Sequence, residues 1–140
     1  MFAINRRVSP EEVDVFRVVH FSNYLKWCSS AMTEMFHMLG VGIGSFEGGA
    51  VEIRVGRLQM VYMRSVRLND IASIRIADVE VKNKRMVLTL SIQVEGQVCA
   101  RGRLTVAFVK ADTGELTGFP ADLAHKLAEW RYKQEVQPIV

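Results

Sequence analysis

The feature that most constrains the fold is one strongly amphipathic segment, residues 22–39, which is followed by a long run of strand-like patterns. Its apolar side chains recur every three or four residues, the spacing that places them on one face of a helix. They are Tyr24, Trp27, Cys28, Ala31, Met32, Met35, Phe36 and Leu39. Ser22 is predicted to be the N-cap, and Gly40 is well placed to end the helix. A helix with such a wide apolar face must be covered there by another layer of structure.

Alternating apolar and polar side chains predict that this other layer is a β-sheet. A short strand at residues 2–8 comes first and is interrupted at Pro10. Four longer strands follow the helix, at residues 51–64, 71–82, 86–94 and 98–108. The first long strand changes phase near Gly56, which predicts a β-bulge, because side chains alternate strictly along a regular strand.

The order of these elements predicts an α+β protein in which an antiparallel sheet wraps around one long helix. Pro120 is predicted to open a short C-terminal helix. The sequence contains no internal repeat, linker or low-complexity tract. Because 140 residues is the usual size of one domain, residues 1–140 are expected to form a single domain.

Composition and charge exclude several classes of function. The 18 basic residues exceed the 15 acidic ones only slightly and are scattered, whereas nucleic-acid binding needs a clustered basic stripe. Cys28 and Cys99 lie far apart and outside any CxxC spacing, which argues against a disulfide framework or a zinc site. No metal or other cofactor is expected. No apolar run reaches the length of a membrane span, and the first residues do not form a signal peptide. A cytoplasmic protein without membrane association is therefore expected.

The most specific stretch of the chain is residues 14–27, DVFRVVHFSNYLKW. It resembles the signature of the 4-hydroxybenzoyl-CoA thioesterase family of hotdog-fold proteins. In that family an Asp is followed, after two residues and usually a Gly, by two aliphatic residues, an aromatic or His pair, and Asn-Tyr at the helix start. The resemblance extends in the order of elements over nearly the whole chain. It implies a hotdog fold, with a five-stranded antiparallel sheet around one long helix, and hydrolysis of an acyl- or aroyl-CoA thioester.

The resemblance also assigns roles to individual residues. Asp14 matches the family's catalytic Asp, which attacks the thioester carbonyl or activates water. Phe21 matches the position whose backbone N–H polarises that carbonyl, and Asn23 matches the Asn that organises the loop at the helix start. Thioester hydrolysis needs such a carboxylate together with donors for the developing oxyanion, and a helix N-terminus supplies free N–H groups. His20 is a further catalytic candidate, as a proton relay or pocket group, although a packed loop histidine is an equal alternative.

Five side chains are predicted to contact the substrate: Arg17, Asn23, Tyr24, Met60 and Tyr62. Arg17 departs from the family pattern, which usually has Gly at this position. If the position requires a positive φ, an Arg is disfavoured there; alternatively, Arg17 holds a substrate carboxylate or a phosphate. Glu34, on the long helix, is a reserve candidate for the catalytic carboxylate.

Two alternatives to an acyl-CoA thioesterase stay open at this point. The first is a thioesterase that releases a polyketide or fatty acyl chain from an acyl carrier protein, since a mildly basic surface suits both CoA and a carrier protein. A non-catalytic acyl-CoA-binding protein is the second, which Arg17 leaves open. The chain is expected to form a homo-oligomer, a dimer or tetramer, because the strand at residues 51–64 is apolar on both sides towards its end and such an edge is normally covered.

Overall fold

The computed structural model describes residues 1–42, 44 and 46–136. Short 3₁₀ segments lie at Pro10–Glu12 and Phe46–Gly49. The strands are β1 (Phe2–Arg7), β2 (Val51–Tyr62), β3 (Ile71–Lys82), β4 (Arg85–Val94) and β5 (Gln97–Lys110), and the helices are α1 (Ser22–Met38) and α2 (Ala121–Val136). The order of the elements confirms the α+β class predicted from the sequence.

The five strands form one antiparallel sheet in the order β1-β3-β4-β5-β2. The turn between β4 and β5 consists of Glu95 and Gly96, both with positive φ (51° and 78°). Such two-residue turns match the right-handed twist of the strands that they join. The predicted bulge is confirmed, because the register between β2 and β5 shifts between Val55 and Arg57, at Gly56. This sheet with one long helix packed on it is the hotdog fold that the resemblance implied.

Helix α1 covers the inner face of the sheet with the apolar face that the sequence predicts. The predicted apolar side chains are all buried, from Tyr24 to Phe36 within the helix and Leu39 just beyond it. Gly40 ends the helix in the left-handed conformation, with φ 79°. Its N–H donates to the carbonyl oxygen of His37 (3.0 Å), which satisfies one of the last helical carbonyls.

The start of α1 differs from the prediction, and Ser22 as N-cap is wrong. Ser22 is the first helical residue, and Phe21 occupies the N-cap position with helical φ and ψ of −55° and −28°. The Ser22 hydroxyl is hydrogen-bonded to Nδ1 of His20 (2.8 Å), and the same nitrogen accepts the Ser22 N–H (3.3 Å). An imidazole therefore satisfies the first helical N–H in place of a capping hydroxyl.

The core lies between α1 and the inner face of the sheet. Large side chains from the three central strands are fully buried there, among them Ile74, Leu88, Ile92, Leu104 and Phe108. Each such side chain contributes about 1.5–3 kcal/mol on burial, so this layer supplies most of the stability of the fold. Helix α2 adds Leu123 and Leu127 to the same cluster. No helix among the described residues is long and apolar enough to span a membrane.

Candidate active site

The segment between β1 and α1 forms a small hairpin around the predicted catalytic carboxylate. Val13 pairs with Val19 in an antiparallel bridge. The Asp14 N–H donates to the Val18 carbonyl (3.0 Å), and the Arg17 N–H donates to the Asp14 carbonyl (3.0 Å). Hairpins with a three-residue loop place their last loop residue in the left-handed region. Arg17 adopts this conformation, with φ 62°.

The left-handed conformation of Arg17 settles one of the questions that the sequence raises. The position does require a positive φ, which a glycine adopts freely and which costs other residues about 1–2 kcal/mol. The loop forms in spite of that cost because its backbone is anchored on both sides. The Arg17 carbonyl accepts the Leu68 N–H (3.1 Å), and the Val19 N–H donates to the Val66 carbonyl (2.8 Å).

Asp14 is exposed at the base of this loop. Its Oδ1 accepts the backbone N–H groups of Phe16 (2.8 Å) and Val18 (3.3 Å). Its other oxygen, Oδ2, has no hydrogen-bond partner among the described residues. The carboxylate is thus fixed by one oxygen, while the second remains available for a substrate or a water molecule.

The first N–H groups at the start of α1 differ in whether they have an acceptor. Those of Asn23 and Tyr24 donate to the carbonyls of His20 (3.0 Å) and Phe21 (3.1 Å), and that of Ser22 donates to the His20 ring. The Phe21 N–H has no acceptor in the part of the chain that the structure describes. A free N–H at the positive end of a helix dipole is a suitable donor for a developing oxyanion.

His20 lies beside this donor in the sequence. Its Nδ1 lies 2.8 Å from the Ser22 hydroxyl and 3.3 Å from the Ser22 backbone nitrogen, while Nε2 has no hydrogen-bond partner among the described residues. The ring stacks on Phe21, with a centroid distance of 4.6 Å, and is exposed. It is therefore a loop residue with a structural role at the helix start, and Nε2 is its second ring nitrogen for a contact with another group.

The side chain of Asn23 connects the two arms of the hairpin. Its side chain is 7% exposed, and its Nδ2 donates to the Glu12 carbonyl (2.9 Å) and the His20 carbonyl (3.2 Å). These two contacts hold the loop rather than leaving the amide open to a substrate. The sequence prediction that Asn23 organises the loop agrees with this geometry.

A cavity of about 310 Å³ adjoins the hairpin. It is lined by Val18, Val19, Phe21, Tyr24, Tyr62, Met63, Arg64 and Ser65. The rings of Tyr24 and Tyr62 lie 5.1 Å apart, so two of the predicted substrate contacts meet here. Asp14 does not line this cavity itself, but it is hydrogen-bonded to Val18, which does.

Met60 and Glu34 are not brought to this cavity. Met60 packs against the hydrophobic core, so close to Gly102 that a Cβ at Gly102 would lie 2.0 Å from the Met60 sulfur. Glu34 is exposed, twelve residues along α1 from Ser22, which corresponds to about 18 Å of helix. The structure thus gives no support to Glu34 as a replacement for Asp14.

The two cysteines are unsuited to nucleophilic catalysis. Burial raises the pKa of the Cys28 thiol to about 12. Burial likewise raises the pKa of Cys99. A thiol is a nucleophile as its thiolate, so neither side chain is activated near neutral pH.

One arginine lines this cavity, and two more adjoin its lining along the backbone. Arg64 lines the cavity, the backbone of Arg67 forms an isolated β-bridge with the lining residue Val18, and Arg17 directly precedes Val18. The guanidinium groups of Arg17, Arg64 and Arg67 form no ion pair with any described residue. A basic turn at residues 82–85 lines a different cavity, of about 630 Å³, together with Arg57.

Sequence reasoning missed Glu12, whose carboxylate is 6% exposed. Its Oε2 accepts the indole N–H of Trp27 (2.7 Å), while Oε1 accepts from Arg6 (2.7 Å) and from both the N–H (3.0 Å) and hydroxyl (2.9 Å) of Ser9. Burial raises the pKa of Glu12, but these hydrogen bonds and the Arg6 charge outweigh it and hold the pKa below its ordinary value. The signal in the sequence was Trp27, because a buried indole N–H requires an acceptor.

Comparison with known proteins identifies the family. Residues 8–127 match the profile of the thioesterase-like superfamily, and the chain belongs to it. The Synechocystis protein sll0410, which its name assigns provisionally to the esterases, is 26% identical over 117 residues, covering 82% of this chain and 70% of the relative.

Solved structures show the same fold. A DHNA-CoA thioesterase from Staphylococcus aureus superimposes with a TM-score of 0.84 at 18% identity, covering 99% of this chain and 96% of that one. The protein SAV2348 from the same organism, solved in complex with CoA, superimposes with a TM-score of 0.82 at 20% identity, covering 99% of this chain and 87% of that one.

Proposed function

We propose that this protein hydrolyses acyl thioesters, with Asp14 as the catalytic carboxylate and the Phe21 N–H as the oxyanion donor. The observation that carries the proposal is the pairing of two groups without partners among the described residues. They are Oδ2 of Asp14 and the N–H of Phe21, on the two arms of one hairpin beside an aromatic cavity. Membership of the thioesterase-like superfamily supports the same reaction.

The chemistry follows from these two groups. The Phe21 N–H donates to the thioester carbonyl oxygen and stabilises the negative charge that develops on it. Asp14 either attacks the carbonyl carbon, forming a mixed anhydride that water then hydrolyses, or removes a proton from the attacking water. In both routes one water is consumed, the C–S bond breaks, and a carboxylic acid and a thiol leave. His20, in its imidazolium form, is a candidate for protonating the departing thiolate.

CoA is the carrier that we propose. Arg64 lines the cavity and Arg17 and Arg67 adjoin its lining residue Val18, and none of the three forms an ion pair with a described residue, so they are suitable to bind the phosphates of CoA. A structurally similar protein was also solved in complex with CoA. The three aromatic rings that line the cavity, those of Phe21, Tyr24 and Tyr62, favour an aromatic or bulky acyl group. Release of an acyl chain from a carrier protein is the second candidate, because the phosphopantetheine arm offers the same thioester and a single phosphate.

A substrate panel tests the proposal. Free thiol release is measured for aromatic and aliphatic acyl-CoAs and for the same acyl groups on a carrier protein, with and without Asp14→Asn. We expect Asp14-dependent hydrolysis, fastest with aroyl-CoA. Faster turnover of the carrier-bound substrates would replace CoA by a carrier protein. Tight binding of acyl-CoA without release of any thiol would make the protein a non-catalytic acyl-CoA binder.

We also propose that two copies associate through β2. This strand pairs with β5 on one side, and no described strand pairs with its other side. Val55, Val61 and Tyr62 are exposed along it, at 45%, 66% and 51%. An apolar edge of this kind normally pairs with another chain, and a two-fold copy is the simplest partner. Light scattering at micromolar concentration should give twice the chain mass, and an active monomer would contradict the proposal.

A further inference from the structure

The buried carboxylate of Glu12 connects the hairpin to both β1 and α1. It accepts hydrogen bonds from Arg6 on β1 and from Trp27 on α1, while Glu12 itself begins the first arm of the hairpin. Arg6 also lies over the Trp27 ring, 5.3 Å from its centroid, so the three side chains contact one another. Removal of the carboxylate would therefore remove the side-chain contacts of Glu12 with β1 and with Trp27, and would leave the Asn23 side chain as the contact between the start of α1 and the hairpin.

The backbone of Glu12 continues this connection into the candidate active site. Its carbonyl oxygen accepts both the His20 N–H (2.9 Å) and Nδ2 of Asn23 (2.9 Å). Asp14 follows two residues later on one arm of the hairpin, and Phe21 directly follows His20 on the other. The Glu12 side chain therefore holds the Glu12 backbone in place. Because that backbone bonds His20 and lies two residues before Asp14, its position determines where Asp14 lies relative to the Phe21 N–H.

We propose that Glu12 is a positioning residue for thioester hydrolysis, holding the Asp14 carboxylate in place relative to the Phe21 N–H through the Trp27 and Asn23 contacts. The proposal rests on the proposed function of Asp14. Glu12 touches no substrate and takes no proton in the reaction. Its effect arises because a displacement of the reacting groups by about 1 Å can cost up to about 100-fold in rate.

Glu12→Gln tests the proposal with little change in shape. A glutamine has one acceptor oxygen, so it cannot serve Arg6 and Ser9 at one end and the Trp27 indole at the other. We expect kcat to fall about tenfold or more, while KM stays within about twofold because the cavity lining is untouched.

Trp27→Phe removes the same hydrogen bond from the other side, and its effect should not add to that of Glu12→Gln. Glu11→Gln is the matched control, since Glu11 is exposed and bonds only Ser9 (2.7 Å) among the described residues; it should leave kcat unchanged.

A second comparison separates positioning from a loss of fold. If Glu12 acts through Asp14, Glu12→Gln should have no further effect on kcat in the Asp14→Asn background. An equal loss of activity in both backgrounds would overturn the proposal, because it would indicate a smaller folded fraction rather than a misplaced carboxylate.

Amide hydrogen exchange gives a readout that does not require any thioesterase activity. The His20 N–H, whose acceptor is the Glu12 carbonyl, should exchange about tenfold faster in Glu12→Gln, while the Ile92 N–H in the central strand β4 is unchanged. Equal acceleration at both amides, or no change at His20, would overturn the positioning role. If no thioester is hydrolysed by any variant, the proposed function fails, and the exchange result still decides whether Glu12 holds the hairpin.

Discussion

On the inner face of the sheet, side chains such as Ile74, Leu88 and Ile92 are fully buried and belong to the hydrophobic core cluster. In the hairpin before α1, by contrast, two carboxylates only two residues apart differ in burial and in hydrogen bonding. Glu12 is buried and both of its carboxylate oxygens accept hydrogen bonds, whereas Asp14 is exposed and its Oδ2 has no partner among the described residues. The first region is held by area removed from water, and the second by directed hydrogen bonds around a strained residue. This difference indicates that stability and activity depend on different parts of the chain.

The largest expected effect tests the apolar side of this comparison. Phe36 is fully buried and packs edge-to-face on Phe46, with a centroid distance of 5.6 Å. Phe36→Ala should lower the free energy of unfolding by about 3–5 kcal/mol through lost burial and a new cavity. Urea denaturation measures this loss, and kcat per folded molecule should stay within about twofold. A large fall in kcat at a temperature where the variant remains folded would show that the core also sets the site geometry.

The next effect tests the polar side. Asp14→Asn keeps the shape of the side chain and its hydrogen bonds to the Phe16 and Val18 N–H groups, but it removes the nucleophile or base. We expect kcat to fall about 100-fold or more, equivalent to about 2.7 kcal/mol of transition-state stabilisation, with little change in melting temperature. Asp112→Asn, in an exposed turn, is the control. Near-normal turnover by Asp14→Asn would remove Asp14 from the reaction.

A smaller effect concerns the stability that Glu12 contributes to the hairpin. Glu12→Gln leaves the buried Trp27 indole N–H without a charged acceptor, which costs about 1–3 kcal/mol at neutral pH. Because the hydrogen bonds to Ser9 and Trp27 lower the pKa of Glu12 in spite of burial, its contribution is complete above its ordinary value of 4.5. The contribution is lost as the pH falls through the lowered value.

Thermal denaturation of the wild type and of Glu12→Gln between pH 7 and pH 3 measures this dependence. The gap between the two melting temperatures should be widest at neutral pH and should narrow on acidification. A gap that is constant over the whole range would mean that the Glu12 carboxylate is not charged in the folded protein, contrary to its contact with Arg6.

The regular elements could be predicted from the sequence because their apolar side chains repeat with one period. The apolar face of α1, the end of that helix at Gly40 and the bulge at Gly56 were all visible in this way. Residues 14–27 also indicated the positions of Asp14 and of the helix start. The periodic elements and this motif are both formed by residues that are close to one another in the chain, so a single sequence is enough to detect them.

Contacts between distant segments could not be predicted in the same manner. Glu12 belongs to a polar stretch that resembles an exposed turn, and its burial depends on Arg6 and Trp27, which approach it only in the folded chain. Ser22 looked like an N-cap, but Phe21 occupies that position and the ring of His20 contacts both the backbone N–H and the hydroxyl of Ser22. Met60 was predicted to contact the substrate, yet it is partly buried and packs against the core, where Gly102 leaves room for its sulfur.

The smallest expected effect lies at Arg17, where strain and charge meet. Relief of the left-handed strain in Arg17→Gly gains about 1–2 kcal/mol, and the greater freedom of glycine in the unfolded chain takes back about 0.5–1 kcal/mol. The net gain in stability should therefore be no more than about 1.5 kcal/mol, which thermal or urea denaturation can measure.

The same substitution removes the guanidinium group next to the cavity-lining residue Val18, which forms no ion pair with any described residue. If Arg17 binds an anionic part of the substrate, KM should rise a few-fold in Arg17→Gly, and the rise should shrink at high salt, where charge pairing is already screened.

Arg17→Asn separates the effect of backbone strain from that of charge, because Asn tolerates a positive φ but carries no charge. It should share the increase in KM with Arg17→Gly, whereas Arg17→Lys, which keeps the charge and the strain, should resemble the wild type. An unchanged KM in both neutral variants, with substrates that do and do not carry a free carboxylate, would make Arg17 a strained surface residue without a role in binding. Substrate choice would then depend on the aromatic lining formed by Phe21, Tyr24 and Tyr62.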